Sequence, residues 1–261
     1  MPPAIKSFME GEIGKAQNKF FEGLQAALGR EYIVGAPSKN QGESSYLRLD
    51  KELCRNNFSA GVRKQLRVIL KELGATEPFP TGSIAHNIDG LIVQHPQLGT
   101  RIVEFDEIQH FSPFRWLTCQ PNPHLEISVP DHYHSVFCSA KWINRMLKKN
   151  RLPRSNDPVS LLNTKKFRAY VELHFSPNTG YIKPVKGFDF PGGRIAQRAY
   201  YDSLKDLACF SNANKHLSST IRYSEVELEE KFGENYLSLE QRILTEYISV
   251  TILERAEKLS I

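Results

Sequence analysis

"RIVEFDEIQHF", residues 101–111, decides how the rest of the chain is read. Ile102, Val103 and Phe105 mark a buried strand, yet Glu104, Asp106 and Glu107 interrupt it, and Gln109 and His110 follow at once. Carboxylates taken out of water without partners are costly or change their protonation. Side chains alternate along a strand, so Glu104 and Asp106 are expected on one face and Val103 and Phe105 on the other, toward a core. If the strand continues, Glu107 faces away from Asp106. The preceding apolar run, "NIDGLIV" at 87–93, also carries an acid, Asp89, and "QHPQLG" between the two runs has the chemistry of a hairpin loop. That pairing sets Asp89 beside Glu104. Three carboxylates at the end of one rigid element repel each other, and a hard divalent cation relieves the repulsion. Mg²⁺, with Mn²⁺ as a substitute, is the expected cofactor, held by Asp89, Glu104 and Asp106. Gln109 and His110 are candidates for orienting a water or a phosphate there. Without a metal, Glu104 and Asp106 would pair with Arg101 or Arg115 on an exposed sheet face.

Outward from the hairpin, the pattern alternates helices and strands. An amphipathic helix is expected over 4–28, ended by Gly29, and a short strand at "SSYLRL". Val62, Leu66, Ile69, Leu70 and Leu73 recur at helical spacing within 59–75, with Ser59 as cap and Gly74 as terminator. Beyond the hairpin come a Pro-rich passage at 113–130 and a helix from Ser135 to Asn150. "FRAYVELHFS" at 167–176 alternates like a strand, and a loop follows at 178–193. Helices are expected at 194–210 and 238–259, the second opened by a capping box of Ser238 and Gln241. This order predicts a mixed α/β or α+β domain, a central mixed sheet flanked by helices, occupying all of 1–261.

Charge narrows the partner. The chain has 261 residues and a formal net charge of +5, with 40% hydrophobic and 24% charged residues. Residues 141–168 hold nine Lys or Arg against the single Asp157, whereas 225–261 hold nine Glu against four basic residues. A concentrated basic segment points to a polyanion. No apolar run reaches the roughly 18–20 residues of a membrane span. The N-terminal stretch lacks the apolar centre of a signal peptide, so a cytoplasmic protein is expected. Cys54, Cys119, Cys138 and Cys209 lie far apart and read as free thiols. Cys119, His124, His132, His134 and Cys138 invite a zinc reading, but their spacing matches no paired zinc motif.

"IDGLIV" followed by "RIVEFDEIQHF" resembles the active-site hairpin of the PD-(D/E)xK nuclease superfamily, in which an Asp on one strand precedes an acid-x-Lys or acid-x-acid on the next. Asp89 fills the first place, and Glu104-x-Asp106 the second. "VEFDEIQHF" also looks like the Glu-x-Asp, then Gln-His, pattern of nucleases related to very-short-patch repair enzymes. There a helix with spaced Arg and Asp residues follows, and "RIAQRAYYDSLKDLA" is similar to it. The resemblance implies a restriction-endonuclease-like core and a Mg²⁺-dependent endonuclease acting on double-stranded DNA, first as a type II restriction enzyme and homodimer. Its alternatives are a repair or structure-specific nuclease, and a nucleic-acid-binding protein with a degenerate core. Residues 112–190 then form a DNA-contacting insertion. Lys148, Lys149, Arg151, Arg154, Lys165 and Lys166 are expected to meet the DNA backbone, joined by Arg194 and Arg198 from the helix after Gly192 and Gly193.

Overall fold

A computed structural model describes residues 14–34, 47–48, 57–76, 87–120, 132–176, 182–211 and 216–258. Among these, the helices are α1 (Lys15–Leu28), α2 (Ala60–Glu72), α3 (Pro113–Thr118), α4 (His132–Phe137), α5 (Ala140–Lys149), α6 (Thr164–Leu173), α7 (Gly193–Asp206), α8 (Glu225–Phe232) and α9 (Gln241–Lys258). The strands are β1 (Ile33–Val34), β2 (Leu47–Arg48), β3 (Asn87–Ile88), β4 (Gly90–His95), β5 (Gly99–Asp106) and β6 (Leu217–Ser224). The chain divides into two compact units, one of residues 1–48, 87–105 and 217–261, the other of 49–86 and 106–216. Their charges differ in sign. The first carries 12 Lys and Arg against 16 Asp and Glu, net −4, and the second 22 against 13, net +9.

The first unit is a mixed four-stranded sheet, order β1-β4-β5-β6, flanked by helices. The expected hairpin is present. β4 and β5 pair antiparallel with Gly90 opposite Val103, Leu91 opposite Ile102 and Ile92 opposite Arg101. The register shifts between Ile92 and His95, where Gln94 adopts φ 49°, and Gly99 with φ 66° completes the turn back. Gly90 is dictated by packing, because a Cβ there would lie 2.4 Å from Phe21 Cε1. α1 lays Phe20, Phe21 and Leu24 into the core, where Phe20 stacks on Phe105 at 5.1 Å and meets Tyr223 at a tilt, 4.7 Å away. α9 buries Leu244, Ile248, Ile252 and Ala256, one residue per turn along a single stripe. It packs against α1, with Leu244 and Ile248 closing over Gly23.

The second unit is helical. Ser59 Oγ accepts the Val62 N–H to start α2, and Gly74, φ 80°, follows its end as expected. Three expectations are corrected here, and the Pro-rich passage gains a helix. The stretch 167–176 is α6 and its exit, not a strand: Asn163 Oδ1 caps it by accepting the Lys165 and Lys166 N–H groups, and Phe167 and Val171, four apart, form its buried side. The helix expected over 135–150 is two, broken at Cys138 and Ser139. The Pro-rich passage opens with α3, because Pro113 sits in its first turn, where no N–H is needed, and Ser112 caps it. In the first unit, the last helix starts at Gln241, and Ser238 Oγ donates to Asn235 O within a separate turn. The expected helix start at 4–13, most of "SSYLRL", and Cys54 lie outside the described residues.

α7 opens at Gly192, φ 93°, followed by Gly193, where a Cβ would meet the Phe188 carbonyl oxygen at 1.9 Å. Only glycine lets the helix start this close to the preceding loop. α7 then packs on α3, and the fully buried Arg115 of α3 pairs with Asp206 of α7 at 2.7 Å. Among the described residues, no helix is long and apolar enough to cross a membrane.

Candidate metal centre

Two acids of the hairpin, Glu104 and Asp106, are buried rather than displayed on an exposed sheet face, and Asp89 is half-buried. Glu104 and Asp106 are each 1% exposed. Asp89 and Glu104 are cross-strand neighbours whose carboxylates each bind a backbone N–H of the opposite strand. Glu104 Oε1 accepts the Asp89 N–H at 3.2 Å, and Asp89 Oδ2 accepts the Phe105 N–H at 2.9 Å. Both belong to the first unit. Asp106 is the first residue of the second stretch of the helical unit, so the three expected ligands are divided between the units.

Within the helical unit Asp106 has other company. β5 ends at Asp106, and Glu107 opens a 3₁₀ turn, Ile108–His110, in which the His110 N–H bonds to Glu107 O at 2.9 Å. The turn folds the chain back, so His110 Nδ1 lies 3.5 Å from Asp106 Oδ1, four residues earlier. It also ends the alternation that would set Glu107 opposite Asp106, and Glu107 Oε2 instead accepts from Gln109 Nε2 at 2.6 Å. α5 and α7 both pack on this turn. From α7 comes Asp202, 1% exposed, whose Oδ2 lies 3.0 Å from His110 Nδ1. Asp106, His110 and Asp202 each offer a ligand atom, and these atoms all lie within 4.8 Å of one another. Lys205, one turn beyond Asp202, places Nζ 4.0 Å from Asp202 Oδ1, and Tyr133 of α4 donates its hydroxyl to Asp106 Oδ2.

Two carboxylates and an imidazole fit a divalent cation that keeps further positions for water. The imidazole favours Mn²⁺ beside Mg²⁺, since Mg²⁺ prefers oxygen alone. Two carboxylates this close and this dry favour positive charge beside them, and Lys205 supplies part of it. Sequence reasoning singled out Asp106 and His110. Asp202 and Lys205 lie in "RIAQRAYYDSLKDLA", the stretch similar to the nuclease helix, but neither is singled out by the sequence, although the Asp-x-x-Lys spacing within "YDSLKDL" is a signal. The zinc reading finds no support among the described residues: Cys119, buried, and Cys138, exposed, are in no disulfide and neither joins a metal-ligand group, and His124 and the His132 side chain lie outside the described set.

The expected DNA contacts all fall in the helical unit. Lys148 and Lys149 end α5, and Arg151 follows in the left-handed region, φ 60°. Lys165 and Lys166 open α6. The loop between these helices is pinned at both sides, with the Ser155 N–H on Asn144 Oδ1 and the Tyr170 hydroxyl on Pro153 O, both 2.9 Å. Lys148, Lys149, Arg154, Lys165 and Lys166 are exposed and form no ion pair among the described residues. Arg194 reaches Gln197 along α7, and Arg198 is half-buried.

Comparison with protein-family models, with curated proteins and with solved structures returns no match.

Proposed function

We propose that this chain is a metal-dependent endonuclease with a PD-(D/E)xK-type core, acting on double-stranded DNA. The observation that carries the reading is the meeting of His110 and Asp202 at 3.0 Å. It joins the two stretches, the hairpin exit and the helix at 193–206, that separately resemble nuclease motifs. Asp106, His110 and Asp202 would hold the cation. Bound there, Mg²⁺ or Mn²⁺ supplies charge to a phosphoryl oxygen and lowers the pKa of a water.

The remaining work falls to side chains. Of the three ligands, His110 alone has an accessible side chain, 20% exposed against at most 2% for the two aspartates, so the substrate meets the centre on its side. Lys205 brings a buried cation beside Asp202, where it offsets the negative charge of the ligands and of an entering phosphate. The basic loop supplies attraction at longer range. Lys165 and Lys166 occupy the first turn of α6, where cations oppose the helix dipole. That placement costs stability and strengthens a positive field, which suits a phosphate backbone.

Incubation of the protein with supercoiled plasmid in Mn²⁺ or Mg²⁺ tests the reading. The expected result is cleavage that EDTA and Asp106→Asn each abolish. Discrete fragments would mark a sequence-specific restriction enzyme, and a smear a repair-type or structure-directed nuclease. DNA that is retarded on a gel yet stays intact in both metals would overturn catalysis and leave a binding protein.

A further inference from the structure

We propose that Tyr133 is the positioning residue of the metal centre, acting through Asp106 and setting the affinity for the cation. The inference rests on the metal-binding reading above. Tyr133 lies on α4 and is 1% exposed. Its ring meets Phe111 edge-on at 4.8 Å, and Phe111 directly follows His110, so the aromatic packing ties α4 to the turn that carries the histidine. Its hydroxyl donates to Asp106 Oδ2, whereas Asp106 Oδ1 is the oxygen nearest His110 Nδ1. The two oxygens of one carboxylate thus have separate duties: one is anchored, and the other faces the remaining ligands.

The chemistry of the anchor matters. A phenol is neutral, so it fixes the carboxylate without cancelling its charge. Asp206, on the same helix as Asp202, shows the contrast. It pairs with the guanidinium of Arg115 at 2.7 Å, a charged partner where Asp106 has the neutral phenol. Outer partners that hold a ligand in place typically change metal affinity about 10–100-fold when removed. Tyr133→Phe keeps the ring and deletes only the donor.

The test is Mn²⁺ binding measured by calorimetry and by electron paramagnetic resonance, on wild type, Tyr133→Phe, Asp106→Asn and Tyr170→Phe. Tyr170 is the control, since its hydroxyl holds a loop carbonyl in the same unit. Tyr133→Phe is expected to weaken Mn²⁺ binding by about 10–100-fold and to alter the resonance of bound Mn²⁺, while Tyr170→Phe changes neither. Wild-type binding that is lost in Asp106→Asn but matched within a factor of about two by Tyr133→Phe, against the 10–100-fold expectation, would overturn the role of Tyr133 alone. Wild-type protein that binds no Mn²⁺, or Asp106→Asn that binds as wild type does, would overturn the metal reading beneath it. Should Tyr133→Phe fail to fold, 3-fluorotyrosine at position 133 serves instead. Its ¹⁹F resonance should move on saturation with Mg²⁺, and a stationary resonance counts against the proposal.

Discussion

Asp202→Asn is expected to slow metal-dependent DNA cleavage by on the order of a hundred- to a thousandfold, with the fold intact. Asparagine has the size of aspartate and can still accept a hydrogen bond from His110, so the packing of α7 on the turn at 108–110 survives. What disappears is one of two buried negative charges that make the centre attractive to a cation. Single-turnover rates in saturating Mn²⁺ are the proper readout, because they separate chemistry from product release. The variant also discriminates between two ligand sets that share Asp106. If Asp202→Asn cleaves at the wild-type rate while Asp89→Asn and Glu104→Gln are inactive, the cation sits with the hairpin acids. The loss in Asp202→Asn places it with His110 and Asp202.

Arg255→Met is expected to destabilise the sheet-bearing unit by about 3–5 kcal/mol, the usual consequence of removing one member of a buried ion pair. Arg255 of α9 donates to the Arg222 carbonyl of β6 and to Glu227 of α8, and its guanidinium lies 3.9 Å over the Tyr223 ring. Glu227 also accepts the Tyr247 hydroxyl. Without Arg255 the Glu227 carboxylate loses its guanidinium partner in a largely dry site. Urea unfolding followed by hydrogen exchange within β6 and α9 reads the loss for this unit rather than for the whole chain. Pairing the change with Glu227→Gln should recover part of it, since the stranded charge is then gone.

The same network makes a pH prediction. Burial pushes the Tyr223 and Tyr247 phenols above their ordinary range, and the Glu227 carboxylate raises Tyr247 further. A phenol whose pKa is raised by folding contributes its stability in full below the unfolded value of about 10, and that contribution is lost as pH rises beyond it. Circular dichroism between pH 8 and 12, a range spanning the phenol value of about 10, should show this unit loosening on the alkaline side. A signal that stays flat across that range would rule the coupling out.

Much of the frame was legible locally. The hairpin announced itself through two apolar runs around turn residues, and α2 through Ser59, Gly74 and an apolar stripe. β6 was not legible. In "LSSTIRYS" the alternation of Leu217, Ile221 and Tyr223 is broken by Ser219, and Thr220, Arg222 and Ser224 on the other face are buried too; partners far along the chain satisfy its polar groups: Arg101 Nη1 donates to Ser219 O at 3.2 Å. At 167–175 the period-two pattern and the i, i+4 pattern coexist. The helix prevails, and Leu173, which fits the period-two pattern but not the row of Phe167 and Val171, is left 78% exposed.

The site divides the same way. Asp106 and His110 are four residues apart, and local reasoning found them. Asp202 lies 92 residues beyond His110, a separation no periodicity spans. In "HYH" the flanking histidines drew the metal reading, while the tyrosine between them makes the contact with Asp106.

The pairing of α1 with α9 has a consequence for how the molecule is made. Ribosomes deliver the chain in order, at about 5–20 residues per second. α1 ends at Leu28 and α9 begins at Gln241, so the second helix emerges roughly 10–40 s after the first. For that interval Phe20, Phe21 and Leu24 have no Leu244 or Ile248 to cover them. The nascent chain must carry a sticky helix through most of its own synthesis, shielded by transient contacts or by a chaperone, until its last partner arrives.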